Sequence, residues 1–370
     1  MARVVQTPDN RCMPLEEWPF ADREAWLAAL QPTGLFGAES VAAGWAEGGR
    51  AMVISGYGRW LTWLAKTGRL GSDTVPADRA TRETVGAYAA ALATVNASMT
   101  VQSRINQLGR AMRVLAPDQD WGWVQRAAGR LRAVAKPVRD KRGRLQTASA
   151  LAELGIGMMK RAHAADAHFA TQRAVLFRDG LIIALMAHRP LRVRTFAAVE
   201  IGKQLIQRNG CWWLVFGPTD TKTKTALEMP WPAQLVAHLE DYLGLYRPAL
   251  MDRPGQRGKA PTSGLWVTKG GKMMGKAAIQ HQIVDHTRRT FGKAISPHLF
   301  RDAAATNVAV DAPASVHVVP DILSHTSLKT SQRHYNQAGS FEAGGRYQSF
   351  LKQTRKLHVS GDRRNWTPRR

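Results

Sequence analysis

Fifty-two Lys and Arg residues against 28 Asp and Glu give this 370-residue chain a formal charge of +24, with a pI near 10.9. An excess of that size implies a polyanionic partner, and nucleic acid is the expected one. An apolar content of 44% argues against a disordered chain, and two cysteines, Cys12 and Cys211, argue against a disulfide scaffold or a cysteine-rich zinc site.

No apolar run reaches the roughly 20 residues that span a bilayer. The first residues, Met1 to Gln6, lack the apolar core of a signal peptide. A soluble cytoplasmic protein with room for two domains is therefore expected.

Residues 1–38 read as an N-terminal arm with one short helix near 22–30. Residues 39–135 read as a helical bundle. Ser40 is placed to cap a helix running to about Gly68, with Trp45, Met52, Ile54, Tyr57, Trp60, Leu61 and Leu64 as its core positions. Thr81 precedes a helix bearing Val85, Tyr88 and Leu92, and Thr100 one bearing Ile105, Leu108, Met112 and Leu115, which Pro117 closes. Residues 121–134 form a fourth helix. Arg104, Arg110, Arg113, Arg126, Arg130 and Arg132 recur at spacings that can line helix faces. Arg104 and Arg110 are candidate phosphate contacts, against the plainer reading of a solvated face. The stretch 136–146 is a basic linker. Its Lys136, Arg139, Lys141, Arg142 and Arg144 could follow a phosphate backbone or serve only as a hinge.

From Thr147 the pattern changes, and 147–350 reads as a second domain. Helices are expected over 148–161 and 165–186, the second ending in the apolar run Leu181-Ile182-Ile183-Ala184-Leu185-Met186. Pro190 breaks it, and Arg192 opens the next element. Strands are expected over 199–205, 212–216 and 226–230, with Asn209-Gly210 as a tight hairpin turn. The second connection carries Lys222 and Lys224. A helix over 234–246, a Pro/Gly loop over 248–261, an extended stretch at 265–267 and a helix over 276–291 follow. Then come His298 and Arg301, three apart and so on one helical face, Leu323-Ser324-His325, and Arg333-His334-Tyr335.

Two cationic groups, proton-handling imidazoles and a hydroxyl suit attack on a phosphodiester, where charge builds on non-bridging oxygens. Singly, each residue has an ordinary reading: His298 and His325 as core histidines, Tyr335 as an interface aromatic with Tyr347 as the other candidate nucleophile. Two histidines with no third ligand at a suitable spacing do not make a zinc site, and no metal is expected.

Over about 40 to 350, the chain resembles the tyrosine recombinase (phage integrase) family. Pro190-Leu191-Arg192 stands where that family has its first Arg. Lys222 stands on the hairpin, eight positions before Pro230, a spacing that favours it over Lys224. His298-x-x-Arg301 matches the His-x-x-Arg box, Leu323-Ser324-His325 the Leu-Gly-His box, and Tyr335 the nucleophile. Ser324, Asp302 and Thr195 depart from the residues most common there, which are Gly, His and Glu.

The resemblance implies a mainly α fold with a small antiparallel β-sheet. A SAM-like core-binding bundle and an α+β catalytic domain would form a C-shaped DNA clamp, and a basic tail would follow over 351–370. It implies a site-specific DNA recombinase, an integrase or transposase type acting for a mobile element. Tyr335 would form a 3′-phosphotyrosyl link, Arg192 and Arg301 would hold the scissile phosphate, His298 and His325 would donate to it or handle the Tyr proton, and Lys222 would protonate the leaving 5′-oxygen. The link stores the bond energy, so no cofactor is expected. Double-stranded DNA, a homo-tetramer on two sites, and accessory or sister recombinases are the implied partners, with the segment 341–357 a candidate helix that docks on a neighbouring subunit. A type IB topoisomerase and a non-catalytic DNA-binding accessory protein are the alternatives.

Overall fold

Aromatic side chains organise the first of two units, Met1–Asp140 and Lys141–Arg370, into which the chain divides. The structure, a computed structural model, describes residues 12–31, 42–71, 73–136, 142–166, 170–221, 223–252 and 262–311, without the side chains of Arg142 and 307–311. The first unit holds α1 (Phe20–Ala28), α2 (Glu47–Lys66), α3 (Pro76–Arg79), α4 (Arg82–Val95), α5 (Ser98–Leu115) and α6 (Gly122–Val134). Tyr57, Trp60, Leu61, Leu64, Val85, Tyr88, Leu92, Ile105, Leu108, Met112 and Leu115 are buried, as their periodicity predicts. Met52 is 41% exposed, and Trp45 and Ile54 only flank the core. Thr81 caps α4 by accepting from the Thr84 N–H. The chain ends α2 with a Schellman pair, Arg69 N–H to Leu64 O and Gly68 N–H to Ala65 O.

The stretch expected to be an arm is, over 12–31, part of the bundle. Met13 N–H bonds the Gly58 carbonyl at 3.1 Å and Thr62 Oγ1 at 3.0 Å. Trp18 and Trp26 are buried, and Trp18 meets Tyr57 edge-on at 4.9 Å. Asp22 is fully buried between Tyr57, whose Oη donates to Oδ2 at 2.7 Å, and Arg79, which pairs with Oδ1. Burial, then the Asp22 charge, pushes the Tyr57 hydroxyl well above its ordinary pKa. One short helix offers too few turns for periodicity to reveal this docking.

In the second unit, α7 (Ala148–Ala164) packs on α8 (Ala170–His188). A Cβ at Gly155 would lie 2.5 Å from the Gly180 carbonyl, and one at Gly180 would lie 2.7 Å from the Gly155 carbonyl, so glycine is what lets these backbones approach. From Phe177 to Ala187, α8 is buried. Its buried ion pair, Arg178–Asp179, is satisfied from both sides: Arg178 donates to Val267 O at 2.8 Å, and Asp179 meets His286 at 3.0 Å.

After the short α9 (Val193–Ala197) comes a three-stranded antiparallel sheet in the order β1-β2-β3, formed by Leu205–Arg208, Cys211–Phe216 and Leu227–Pro230. Asn209 (φ 49°) and Gly210 (φ 75°) make the expected tight turn, and their positive φ explains the residue pair. The first strand lies later than the expected 199–205. Residues 200–201 make only isolated bridges, and Gly202 turns at φ 81°.

The next helix also runs past its expected end. α10 (Val236–Asp241) continues through a π-helical segment, Tyr242–Tyr246, into α11 (Arg247–Met251). The widened turn lies just before Pro248, where a regular helix would press the ring on the Gly244 carbonyl. α12 (Lys276–Phe291) and α13 (Pro297–Asp311) complete the described unit. Among the described residues, no helix is long and apolar enough to cross a membrane.

Asp22→Ala is expected to cost about 3–5 kcal/mol, because it strands the Arg79 charge, while Tyr57→Phe costs about 1 kcal/mol. Urea denaturation of the two variants checks this, and equal losses would show that the ion pair does not anchor the docked segment.

Candidate active site

Two arginines from distant parts of the second unit meet at the end of α8. That helix stops at His188, and Pro190 and Leu191 turn the chain into Arg192, which is the N-cap residue of α9. Arg301 arrives from the second turn of α13, is 7% exposed, and donates Nη1 to the Pro190 carbonyl. Its pKa falls below the ordinary guanidinium range to about 10, first through burial, then through the positive charge of Arg192, with Asp302 acting in the opposite sense. The bond to Pro190, two residues before Arg192, brings the Arg301 guanidinium to the turn that carries Arg192.

Each is anchored by apolar neighbours. Leu299 and Phe300, buried beside Arg301, fix α13. Phe196 stacks on Trp266 at 5.1 Å and 8°, while Trp266 Nε1 donates to the Phe196 carbonyl, which fixes α9. His298, one turn before Arg301, is exposed.

The β2–β3 connection is tied to this turn. Thr195, in α9, donates Oγ1 to the Asp220 carbonyl at 3.2 Å. The Asp220 carboxylate accepts from Gly217 N–H at 3.0 Å and faces Gln204 Nε2 at 3.4 Å. Farther along, Arg189 donates to the carbonyl of Pro230, the last residue of β3, at 3.1 Å. Lys224 is exposed and has φ +53°. Lys222, His325 and Tyr335 lie outside the described residues. In sequence, Thr195 is only a departure from the resembled family, and Asp220 and Gln204 belong to none of its motifs. The one signal for Asp220 was its place in a polar Pro-Thr-Asp-Thr turn.

The basic candidates of the first unit are more structural than expected. Arg104 is half-buried and bonds Gln107 at 3.0 Å, and Arg110 lies 4.4 Å over the Trp45 ring. Arg113, Arg126, Arg130 and Arg132 are exposed. Lys136 is exposed, its backbone bonded to Ser98 Oγ. Arg144 is half-buried in a single 3-10 turn with Arg142. Arg139, Lys141 and the Arg142 side chain lie outside the described residues.

No protein-family model matches the sequence, and no curated protein does. By fold, the chain is similar to the XerH site-specific recombinase in its pre-cleavage complex with difH, with a TM-score of 0.53 at 14% identity over 80% of this chain and 78% of that one. The post-cleavage complex of XerH with palindromic difH gives 0.53 at 13% identity over 91% of this chain and all of that one. The fold is that of a tyrosine recombinase. Within that recombinase fold, the Arg192 turn, α13 and the lysine-bearing connection come from three separate parts of the chain, and the Arg301–Pro190 bond and the Thr195 hydroxyl join them.

Because the folded-state pKa of Arg301 is lowered, its charge costs stability at neutral pH, and that cost is relieved as pH rises above about 10 towards the ordinary guanidinium value. Arg192→Gln is expected to move the Arg301 pKa upward. A guanidinium-detected NMR titration measures it, and an unchanged value would show that burial alone sets it.

Proposed function

We propose that this chain is a site-specific DNA recombinase that cuts and rejoins DNA through a 3′-phosphotyrosyl intermediate. The observation that carries the reading is the convergence of Arg192 and Arg301 within a recombinase fold. Two neighbouring guanidiniums suit the two non-bridging oxygens of a phosphodiester, whose charge grows during displacement. The anion would in turn offset their mutual repulsion. XerH is bound to its difH substrate in both similar structures, which favours duplex DNA as the partner here, as does the charge of +24.

In this reading, Tyr335 attacks the phosphorus, and His298 and His325 donate to the phosphate or take the Tyr proton. Lys222 protonates the departing 5′-oxygen. A 5′-hydroxyl from a partner strand reverses the step and joins the exchanged strands. A homo-tetramer on two sites is the assembly that exchange requires, and movement of a mobile element is the role that fits it.

The test is a suicide DNA substrate carrying the protein's native flanking sequence, nicked near the crossover. Wild type should form an SDS-resistant adduct that Tyr335→Phe abolishes, and Arg192→Ala or Arg301→Ala should slow it by about 10²–10³-fold. An adduct retained by Tyr335→Phe would move the nucleophile, with Tyr347 next in line. No wild-type adduct on DNA that the protein binds would contradict the reading.

A further inference from the structure

We infer that Thr195 and Asp220 are positioning residues that hold the lysine loop in register with the Arg192 turn, and so set the reach of the general acid. The inference deepens the recombinase reading and rests on it. Thr195 is buried on α9, three residues after Arg192. Its hydroxyl donates to the Asp220 carbonyl at 3.2 Å, directly joining the arginine turn to the β2–β3 loop. An ionised carboxylate, the group most common here in the resembled family, could not make that bond, because it has no proton to donate.

Asp220 in turn fixes the root of the loop. Its Oδ2 accepts from Gly217 N–H at 3.0 Å, closing a tight turn, and faces Gln204 Nε2 at 3.4 Å. Gln204 is itself buried. Its Oε1 accepts from Glu200 N–H at 3.2 Å, and its carbonyl accepts from Val215 N–H in β2 at 2.8 Å. On the far side, Thr221 Oγ1 donates to Thr225 O at 2.8 Å and accepts from Thr225 N–H at 3.1 Å. The root is thus tied to α9 and, through Gln204, to β2, while the exit at Thr225 is tied back to Thr221 beside the root, with Lys222 and Lys224 between them in sequence.

A general acid is sensitive to such placement. As the Tyr335 oxygen bonds to phosphorus and the bond to the 5′-oxygen breaks, the lysine ammonium passes one proton to that oxygen, leaving a neutral amine and a 5′-hydroxyl. Without the proton, an alkoxide must leave. If sulfur replaces the bridging 5′-oxygen, the thiolate departs unprotonated and the acid is no longer needed.

The experiment compares adduct formation on two suicide substrates, one with oxygen and one with sulfur at the bridging 5′ position. Lys222→Ala serves as the reference for a lost acid. Thr195→Val is expected to slow cleavage of the oxygen substrate by roughly ten- to a hundredfold, since small misplacements of catalytic groups carry penalties of that order. On the sulfur substrate it should stay within about twofold of wild type, because no proton is transferred. Thr195→Ser keeps the donor and should restore the oxygen rate. Asp220→Ala removes the carboxylate anchor and should repeat the oxygen-only loss. Equal slowing on both substrates, or no slowing on oxygen, would overturn the inference while leaving the recombinase reading intact. No wild-type adduct on either substrate would overturn both.

Discussion

The neighbourhood of Arg192 and Arg301 is the constraint on which the second unit's architecture turns. Two like charges, one of them buried, are unfavourable in the absence of compensation, and the pKa of Arg301, lowered to about 10, records both effects. They stay together because neither can move cheaply. Arg301 is bonded to the Pro190 carbonyl and flanked by Leu299 and Phe300, which are buried. Arg192 begins a five-residue helix whose Phe196 is stacked on Trp266. Apolar packing and the Pro190 bond thus hold two like charges near one turn, with Asp302 acting against their repulsion.

The same logic extends outward from the site. The close Gly155–Gly180 approach packs α7 against α8, so that α8 forms the central element of the core and Pro190 leaves it at a defined point. Arg178 crosses to the Val267 carbonyl, next to the Trp266 that carries Phe196. A buried ion pair adds little net stability against an apolar replacement, but its satisfied geometry ties α8, the 265–267 stretch and α12 together. In the first unit, Asp22 does similar work, joining α1, α2 and α3 through Tyr57 and Arg79.

Much of this was legible in the sequence, because the signals were local or periodic. Lys276–Phe291 is helical as expected, Thr81 stands just before its helix and caps it, and Asn209-Gly210 turns the first hairpin. The His298-x-x-Arg301 spacing put both residues on α13, and the Pro190 break left Arg192 at the head of α9. What stayed hidden depends on tertiary contact. Nothing in the local sequence says that residues 12–31 dock on α2, that Arg104 binds Gln107, or that Arg110 covers Trp45. The run through Pro248 departs from the expected loop because a π-helical segment accommodates the proline, and such a segment leaves no local sequence signature. Thr195 stands out in the sequence only as a departure in residue identity, whereas its hydroxyl makes a bond of its own to the Asp220 carbonyl.

The most direct test of the account is cleavage of a substrate whose scissile phosphate carries one methylphosphonate, with each configuration prepared separately. Replacing a non-bridging oxygen by methyl removes the negative charge that the arginines are held to meet. Arg192→Ala and Arg301→Ala, impaired on phosphate, are expected to regain cleavage activity on at least one methylphosphonate isomer. If both variants stay as impaired on the neutral substrate as on the charged one, the two arginines do not act on the scissile phosphate.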